Sequence, residues 1–380
     1  MRDNEKHKVI ITGAGVIGRA VALILRELGN LNLDIYIGDI KKERTIEVAD
    51  WITKGSSRKG LVEPFVMSDD EEDKNLESCL QDSDILLDCL PGTYSPKMAK
   101  LARKYNTHYV NTTAYVNETK QIMKIAEGAS KAFILQTGLA PGFVNVLANG
   151  MFKTFCKNNG VEKVDHISMK VGALTRHAIP PHFYGFTWSP IGVAEEYFGP
   201  ITIIRVNKKT NRPPLSRRMK IILDGVMYEE AFTSGGSADL PDALEGYTKN
   251  LDYKTLRYPG HYEWVENFLS EIRRENNREE MLQKLMEEVV PHVDEDKVVI
   301  YVSVKGYDDR NVFRIDEKSY SIYPDDVAGK RLRAIQSTTA APIAECARML
   351  LQNNLKGLIL QSQIDTEEFL NGPIVSRIYC

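Results

Sequence analysis

The chain lacks an uninterrupted apolar run long enough to cross a bilayer. After the polar, mixed-charge stretch Met1–Lys8, the first apolar segment is broken by Gly13, Gly15 and Gly18, which predicts neither a signal peptide nor a membrane span. A cytoplasmic protein with no membrane partner is the expectation. Paired cysteines are also missing: Cys79, Cys89, Cys156, Cys346 and Cys380 are odd in number and widely spaced, which argues against a disulfide framework, a zinc site or a redox dithiol and for reduced thiols. His177 and His182 stand five residues apart across Pro180-Pro181 with no neighbouring Cys or carboxylate to complete a ligand set, so no metal is expected. There is little charge of either sign in excess: 49 Lys and Arg face 52 Asp and Glu, for a net charge of −3, without the basic excess that marks a nucleic-acid partner. Internal repeats and low-complexity tracts are absent as well, and a small molecule becomes the default partner.

What is present is a soluble globular composition, 43% hydrophobic and 27% charged, over 380 residues. That length exceeds what one core organises, so two domains are expected. The pattern predicts a strand at Val9–Thr12, a helix over Val16–Leu28 and a strand at Asp34–Gly38. A helix near Glu43–Lys54, a strand at Glu63–Met67, an amphipathic stretch at Asn75–Gln81 and the apolar run Asp84–Leu90 follow. A helix near Ser95–Tyr105, the strand His108–Asn111 and a further βα-like unit through Ala132–Gly138 complete the series. Strands alternating with helices at this spacing predict an α/β fold, a Rossmann doubly wound parallel sheet, because each parallel pairing needs a crossover long enough to hold a helix.

Gly13-Ala-Gly15-Val16-Ile17-Gly18 lies between the first strand and the first helix, the context in which a G-x-G-x-x-G sequence binds a dinucleotide. Gly13 permits the tight turn, Gly15 lets backbone approach a pyrophosphate, and Gly18 lets helix and strand pack while the helix N-terminus supplies N–H donors. About twenty residues on, Asp39 ends the second strand, where a carboxylate accepts both hydroxyls of the adenosine ribose and repels a 2′-phosphate. NAD is therefore expected over NADP, although Lys41, Lys42 and Arg44 stand nearby. Leu90 and Pro91, and Thr113 and Tyr115, follow later strands at the carboxyl edge where the rest of a dinucleotide would cross; ordinary loop chemistry explains them equally well.

After Pro141 the texture changes. Stretches near Val164–Val171, Ile201–Val206, Arg218–Leu223, Lys297–Lys305 and Asn311–Asp316 read as strands of a mixed or antiparallel sheet, Glu263–Val290 as a charged, solvated helical region, and Ser337–Leu351 as a packed helix. The expected division is a nucleotide-binding domain over 1–143, an inserted α/β mixed-sheet domain over 144–334 for substrate binding and dimerisation, and helices over 335–380 that return to the first domain.

Three stretches of the later chain combine unusual residues: Gly138-Leu-Ala-Pro-Gly-Phe143, Phe186-Thr-Trp-Ser-Pro190 with Glu195-Glu-Tyr197, and Lys254-Thr-Leu-Arg-Tyr-Pro-Gly-His261. With the opening glycine turn and the Thr339-Ala-Ala-Pro helix, they resemble the saccharopine dehydrogenase-like family, most closely its lysine 6-dehydrogenase branch. The resemblance spans nearly the whole chain. It implies a Rossmann domain, an inserted domain that binds an amino acid, and hydride transfer at a carbon bearing an amine: oxidative deamination of L-lysine at its distal amine, or oxidation or reduction of saccharopine.

The residue types suit such work, which needs a hydride acceptor, a group to take a proton, and anchors for the substrate's carboxylate and amine. Arg257 is the candidate carboxylate anchor, through its planar guanidinium, with a structural salt bridge as the alternative. His261 is the candidate acid or base, or a satisfied structural histidine. Trp188 and Tyr197 would wall a methylene chain, and Glu195 or Glu196 would meet a distal ammonium; core packing and a solvated helix start are the competing readings. Asn145 either faces the cleft or serves the start of its helix. Two other functions remain open: a polyamine-forming reductase of the carboxynorspermidine type, and a non-catalytic NAD-sensing regulator, which a basic surface or an appended recognition helix would favour. Neither feature is seen. A homodimer is expected.

Overall fold

The computed structural model describes residues 6–70, 72–113 and 116–380. The chain divides into two compact units: the first takes the chain through Phe143 and adds Asp325–Leu332 and Gln336–Cys380, and the second holds Val144–Pro324 with Arg333–Ile335.

The first unit alternates strand and helix: β1 (Lys6–Thr12), α1 (Val16–Leu28), β2 (Asn32–Asp39), α2 (Lys42–Gly55), β3 (Val62–Val66), α3 (Lys74–Leu80), β4 (Ile85–Asp88), α4 (Ser95–Lys104), β5 (His108–Asn111), α5 (Val116–Ala126) and β6 (Ala132–Ile134). These strands line up in the order β6-β5-β4-β1-β2-β3, every pair parallel. Val9–Ile11 and Ile85–Leu87 are wholly buried, as expected where helices cover both faces of a parallel sheet. The order reverses between β1 and β4, and at such a switch point the strands' carboxyl ends open a crevice. Asp88 ties this edge together: Oδ2 accepts from the Tyr109 hydroxyl at 2.7 Å, and Oδ1 from the Leu90 amide at 3.1 Å and the Thr12 hydroxyl at 3.5 Å. Burial pushes its carboxyl above the usual range even so.

The second unit runs α6 (Phe143–Asn159), β7 (Val164–Thr175), α7 (Pro190–Glu195), β8 (Ile201–Arg205), β9 (Lys208–Arg212), β10 (Met219–Leu223), β11 (Val226–Ala231), α8 (Leu240–Ala243), β12 (Thr248–Arg257), α9 (His261–Glu271), α10 (Arg278–Val289), β13 (Asp296–Tyr307) and β14 (Phe313–Ile322). Its sheet follows β10-β11-β12-β7-β13-β14, with β8 joining β12 to β9. β12 and β7 are parallel and the other pairs antiparallel, so the sheet is mixed. The chain then gives β15 (Asp325–Val327), β16 (Lys330–Leu332), α11 (Ala334–Gln352), β17 (Gly357–Ile359), α12 (Thr366–Leu370) and α13 (Pro373–Ile378). β17 extends the first sheet beside β6. Fully buried Glu345 pairs with Arg348 and accepts from the Ile374 and Val375 amides at 2.9 and 3.1 Å, capping α13.

The charged helical region Glu263–Val290 consists of two helices, α9 and α10, joined by a turn through the polar run between Ile272 and Asn277. The stretch opening at Lys254, to which no element was assigned, is the end of β12 and the start of α9. β12 has its alternation carried by charged residues, half-buried Asp252 and buried Lys254 against Tyr253 and Thr255, so hydropathy hides the period of two.

Tyr109→Phe removes one donor from a buried carboxylate and is expected to lower unfolding stability by about 1–3 kcal/mol. Because burial already disfavours the ionised form of Asp88, the loss should be larger above its raised pKa than below it, where the protonated carboxyl supplies its own hydrogen. Denaturant titrations at mildly acidic and mildly alkaline pH check this, and a pH-independent loss contradicts the assignment.

Candidate nucleotide and substrate sites

In the first unit the three glycines each do different work. Gly13 sits at φ 95°, with Cys89 O 2.8 Å from where a Cβ would stand; a Cβ on Gly18 would fall 1.8 Å from Gly13 O; a Cβ on Gly15 would meet nothing within 4 Å. The first two therefore let backbone touch backbone, while Gly15 leaves room above the turn. α1 begins there with no side-chain cap and no acid in its first turn, an arrangement whose leading N–H groups and positive end suit an anion such as a pyrophosphate. Val16 is 41% exposed beside that space, and Ile17 is half-buried.

Asp39 lies at the end of β2, buried, with Oδ2 accepting from the Ala14 amide and Oδ1 from the Lys41 amide, each at 3.1 Å. The carboxylate is thus fastened to the glycine turn itself. Arg44 approaches Oδ2 at 3.5 Å, and exposed Ile40 follows at once. Leu90 is half-buried and Pro91 exposed beyond β4, and Thr113 is buried beyond β5. Tyr115 lies outside the described residues. Sequence reasoning missed the polar edge formed by Asp88, Tyr109 and Asn111, whose Oδ1 accepts from the Gln136 amide at 3.0 Å. A signal was available: Thr12, Asp88 and Asn111 are polar residues closing otherwise apolar buried strands.

In the second unit Arg257, Glu196, Tyr197 and His261 form one network. Arg257 ends β12, His261 opens α9, and Glu196 and Tyr197 follow α7. Arg257 Nη2 pairs with Glu196 Oε2 at 2.9 Å, Nη1 donates to Leu256 O at 3.1 Å and Nε donates to the Tyr197 hydroxyl at 3.1 Å. Tyr197 Oη lies 2.8 Å from His261 Nε2, and His261 Nδ1 lies 2.9 Å from His182 O. A carbonyl only accepts, so Nδ1 carries the proton; Nε2 then accepts from Tyr197, whose oxygen accepts from Arg257. Every direction in the chain is fixed.

Arg257 is 1% exposed and His261 0%, so the guanidinium charge is met within the protein by Glu196 and the imidazole ring is enclosed. Burial, with Arg257's charge behind it, holds His261 down to about 3, leaving it neutral at physiological pH. Tyr184 lies 4.9 Å from the Arg257 guanidinium carbon, and burial pushes its hydroxyl up to about 12. Half-buried Trp188 packs against the apolar cluster that contains Tyr197, its ring set against Gly192. The Glu195 carbonyl accepts from Ser234 at 3.1 Å. Asn145 is apart from this network: in the first turn of α6 it is fully buried and donates to Gly236 O at 2.9 Å.

The family model for the saccharopine dehydrogenase NADP binding domain matches residues 9–134, and that for the saccharopine dehydrogenase C-terminal domain matches residues 138–378. The mitochondrial α-aminoadipic semialdehyde synthase of Mus musculus is 24% identical over 207 residues, covering 54% of this chain and 21% of that protein. That of Arabidopsis thaliana is 25% identical over 200 residues, covering 50% of this chain and 19% of its own length. The matched stretch thus spans about a fifth of these curated relatives. Among solved structures, saccharopine dehydrogenase (L-Glu forming) from Saccharomyces cerevisiae superposes with a TM-score of 0.73 at 15% identity, covering 98% of this chain and 97% of that one. A homospermidine synthase from Legionella pneumophila, in complex with NAD, gives 0.64 at 13% identity, covering 100% and 91%. No helix among the described residues is long and apolar enough to cross a membrane.

His261 should carry an acid-pH cost. Its native pKa, about 3, lies below the ordinary value near 6.5, so the unfolded chain binds the extra proton as pH falls through the ordinary value, and stability drops toward the native one. At about pH 5 this amounts to up to ~2 kcal/mol. His261→Gln, which does not titrate, is expected to flatten the fall in denaturation free energy between neutral pH and that point; a slope identical to the parent's refutes an enclosed neutral imidazole.

Proposed function

Because the chain belongs to the saccharopine dehydrogenase family and carries that family's NAD(P)-binding domain, we propose that it oxidises a C–N bond of an amino acid with NAD, the substrate being L-lysine at its distal amine or the secondary amine of saccharopine. The glycine turn with Asp39 fastened to it is the observation that carries this reading. A bound nicotinamide supplies the hydride acceptor. The substrate carbon gives up hydride, its nitrogen a proton, and water displaces nitrogen from the resulting imine. From either substrate the carbon skeleton released is α-aminoadipic semialdehyde, the compound in the names of the relatives.

The chain's own residues divide the work. The N–H groups opening α1 hold the pyrophosphate, and Asp39 accepts the ribose hydroxyls, which favours NAD. In the second unit Glu196 keeps 21% of its side chain accessible while Arg257 behind it keeps 1%, so Glu196 is the member of the network that meets a substrate ammonium. Arg257 and His261 are then positioning residues: the first holds Glu196 and Tyr197 in place, and the second locks the Tyr197 hydroxyl through its one available acceptor nitrogen. The protein is further proposed to act in the cytoplasm as a homodimer.

The test is reduced-nicotinamide absorbance on incubating the purified chain with NAD or NADP and, in turn, L-lysine, saccharopine and other amino acids. NADH formation with lysine or saccharopine is the expected result. Turnover only in the reductive direction, with an aldehyde and a diamine, would favour a polyamine-forming reductase, and nucleotide binding without turnover a regulator; either outcome sinks the proposal. Asp39→Ala should shift the NAD-to-NADP preference toward NADP by about tenfold or more, equivalent to ~1.4 kcal/mol.

A further inference from the structure

Strand alternation sends Lys254 to the opposite face of β12 from Arg257. That reverse face holds a cavity of about 360 Å³, floored by β7, β11, β12 and β13 and walled by residues of β8, β9 and β10, a volume of the order that takes a small molecule. On its floor Lys170 Nζ stands 2.8 Å from Glu230 Oε2, and Lys254 Nζ 2.5 Å from Glu230 Oε1. The three side chains are 10%, 7% and 7% exposed. One buried carboxylate thus serves two buried ammonium groups. The neighbouring Asp252 is the floor's second carboxylate: it accepts from Ser168 Oγ at 3.1 Å, lies 2.9 Å from His166 Nε2, and is held below the usual carboxylate range, despite its burial, by His166 and by the charges of Lys170 and Lys254.

The floor thus sets two ammonium groups against two carboxylates. The rim adds positive charge alone: Arg205, Arg212, Arg217, Lys220 and Lys305 also line the cavity, so seven cationic side chains stand against the two carboxylates Glu230 and Asp252, and a bound anion relieves the repulsion among them. Arg217 is held there from a left-handed backbone, φ 58°, and its carbonyl accepts from Lys254 Nζ at 3.3 Å. A residue other than glycine kept in that region costs free energy, and such strain collects where a structure clamps a ligand. Three features coincide: a half-open cavity of ligand size, a net positive lining and an arginine held at its mouth from a left-handed backbone.

We infer that this cavity binds a small polyanion, a compound bearing carboxylate or phosphate groups, on the face of the second unit's sheet that does not carry the Arg257 network. Lys170 and Lys254 meet the anion at the floor, and Arg212 and Arg217 close over it with paired N–H donors. Since β12 carries Lys254 and Arg257 three residues apart on its two faces, occupancy on one side bears on a strand that positions the other. The inference concerns binding and stands whether or not the proposed dehydrogenase reaction is correct.

The experiment is calorimetric titration and thermal unfolding of the full chain with citrate and, separately, with inorganic phosphate, each against sodium chloride at matched ionic strength. Saturable binding and a raised Tm beyond the chloride control are expected; citrate alone assigns a carboxylate ligand, phosphate alone a phosphate ligand, and both together recognition by charge. Arg212→Gln/Arg217→Gln, which alters only the rim, should weaken binding at least about tenfold while leaving the Tm of the unliganded protein unchanged. The inference fails if neither anion exceeds the chloride control, if binding survives the double substitution, or if a self-associated form of the chain excludes both anions.

Discussion

The first unit depends on one close approach: the Gly13 carbonyl oxygen stands where no Cβ on residue 18 would fit, 1.8 Å from that position. Only two glycines let the start of α1 press against the end of β1 this tightly. From that approach the rest follows. The turn is short enough for Asp39, arriving on the neighbouring strand, to accept the Ala14 amide, and the helix end is left uncapped by any side chain. An uncapped helix terminus has unmet donors and a partial positive charge, so the same backbone economy that packs the helix also prepares the anion site.

The second unit is governed by a different constraint, that polar groups taken out of water must find partners. On one face of β12 the charged and titratable groups are paired. Arg257, Tyr197, His261 and the His182 carbonyl form a directed chain, and Glu196 balances the single charge. On the other face two lysines share Glu230, with Asp252 beside them, beneath a rim that is wholly basic. The contrast separates a side of the strand whose charges pair within it from one whose lining is net positive.

Much of the architecture was legible because it is local. The alternation of strand and helix through Ile134, the glycine spacing and the aspartate ending β2 are read within windows of a few residues, and the parallel sheet follows from crossover length. β9, β11, β12, β15, β16 and β17 were not read. β12 carries its alternation in charged residues, and β17 is only three residues long and is recruited by β6. Within the site, the residue types were found but their relations were not. His261 reads equally as an acid, a base or a packed ring until its neighbours are known, and Asn145 reads as a cleft residue until its amide is seen bound to Gly236.

What the sequence determined by itself is therefore the dinucleotide turn, the fold class and the family, since each rests on short-range spacing or on stereochemistry that glycine alone allows. Only the tertiary structure decided what the polar residues of the second unit do. Tyr197 and His261 meet across 64 positions, Arg257 and Glu196 across 61, and His261 and His182 across 79. Whether a buried charge is paired, and whether an imidazole titrates near neutrality, depends on partners that spacing along the chain does not specify, because burial and electrostatics act through space.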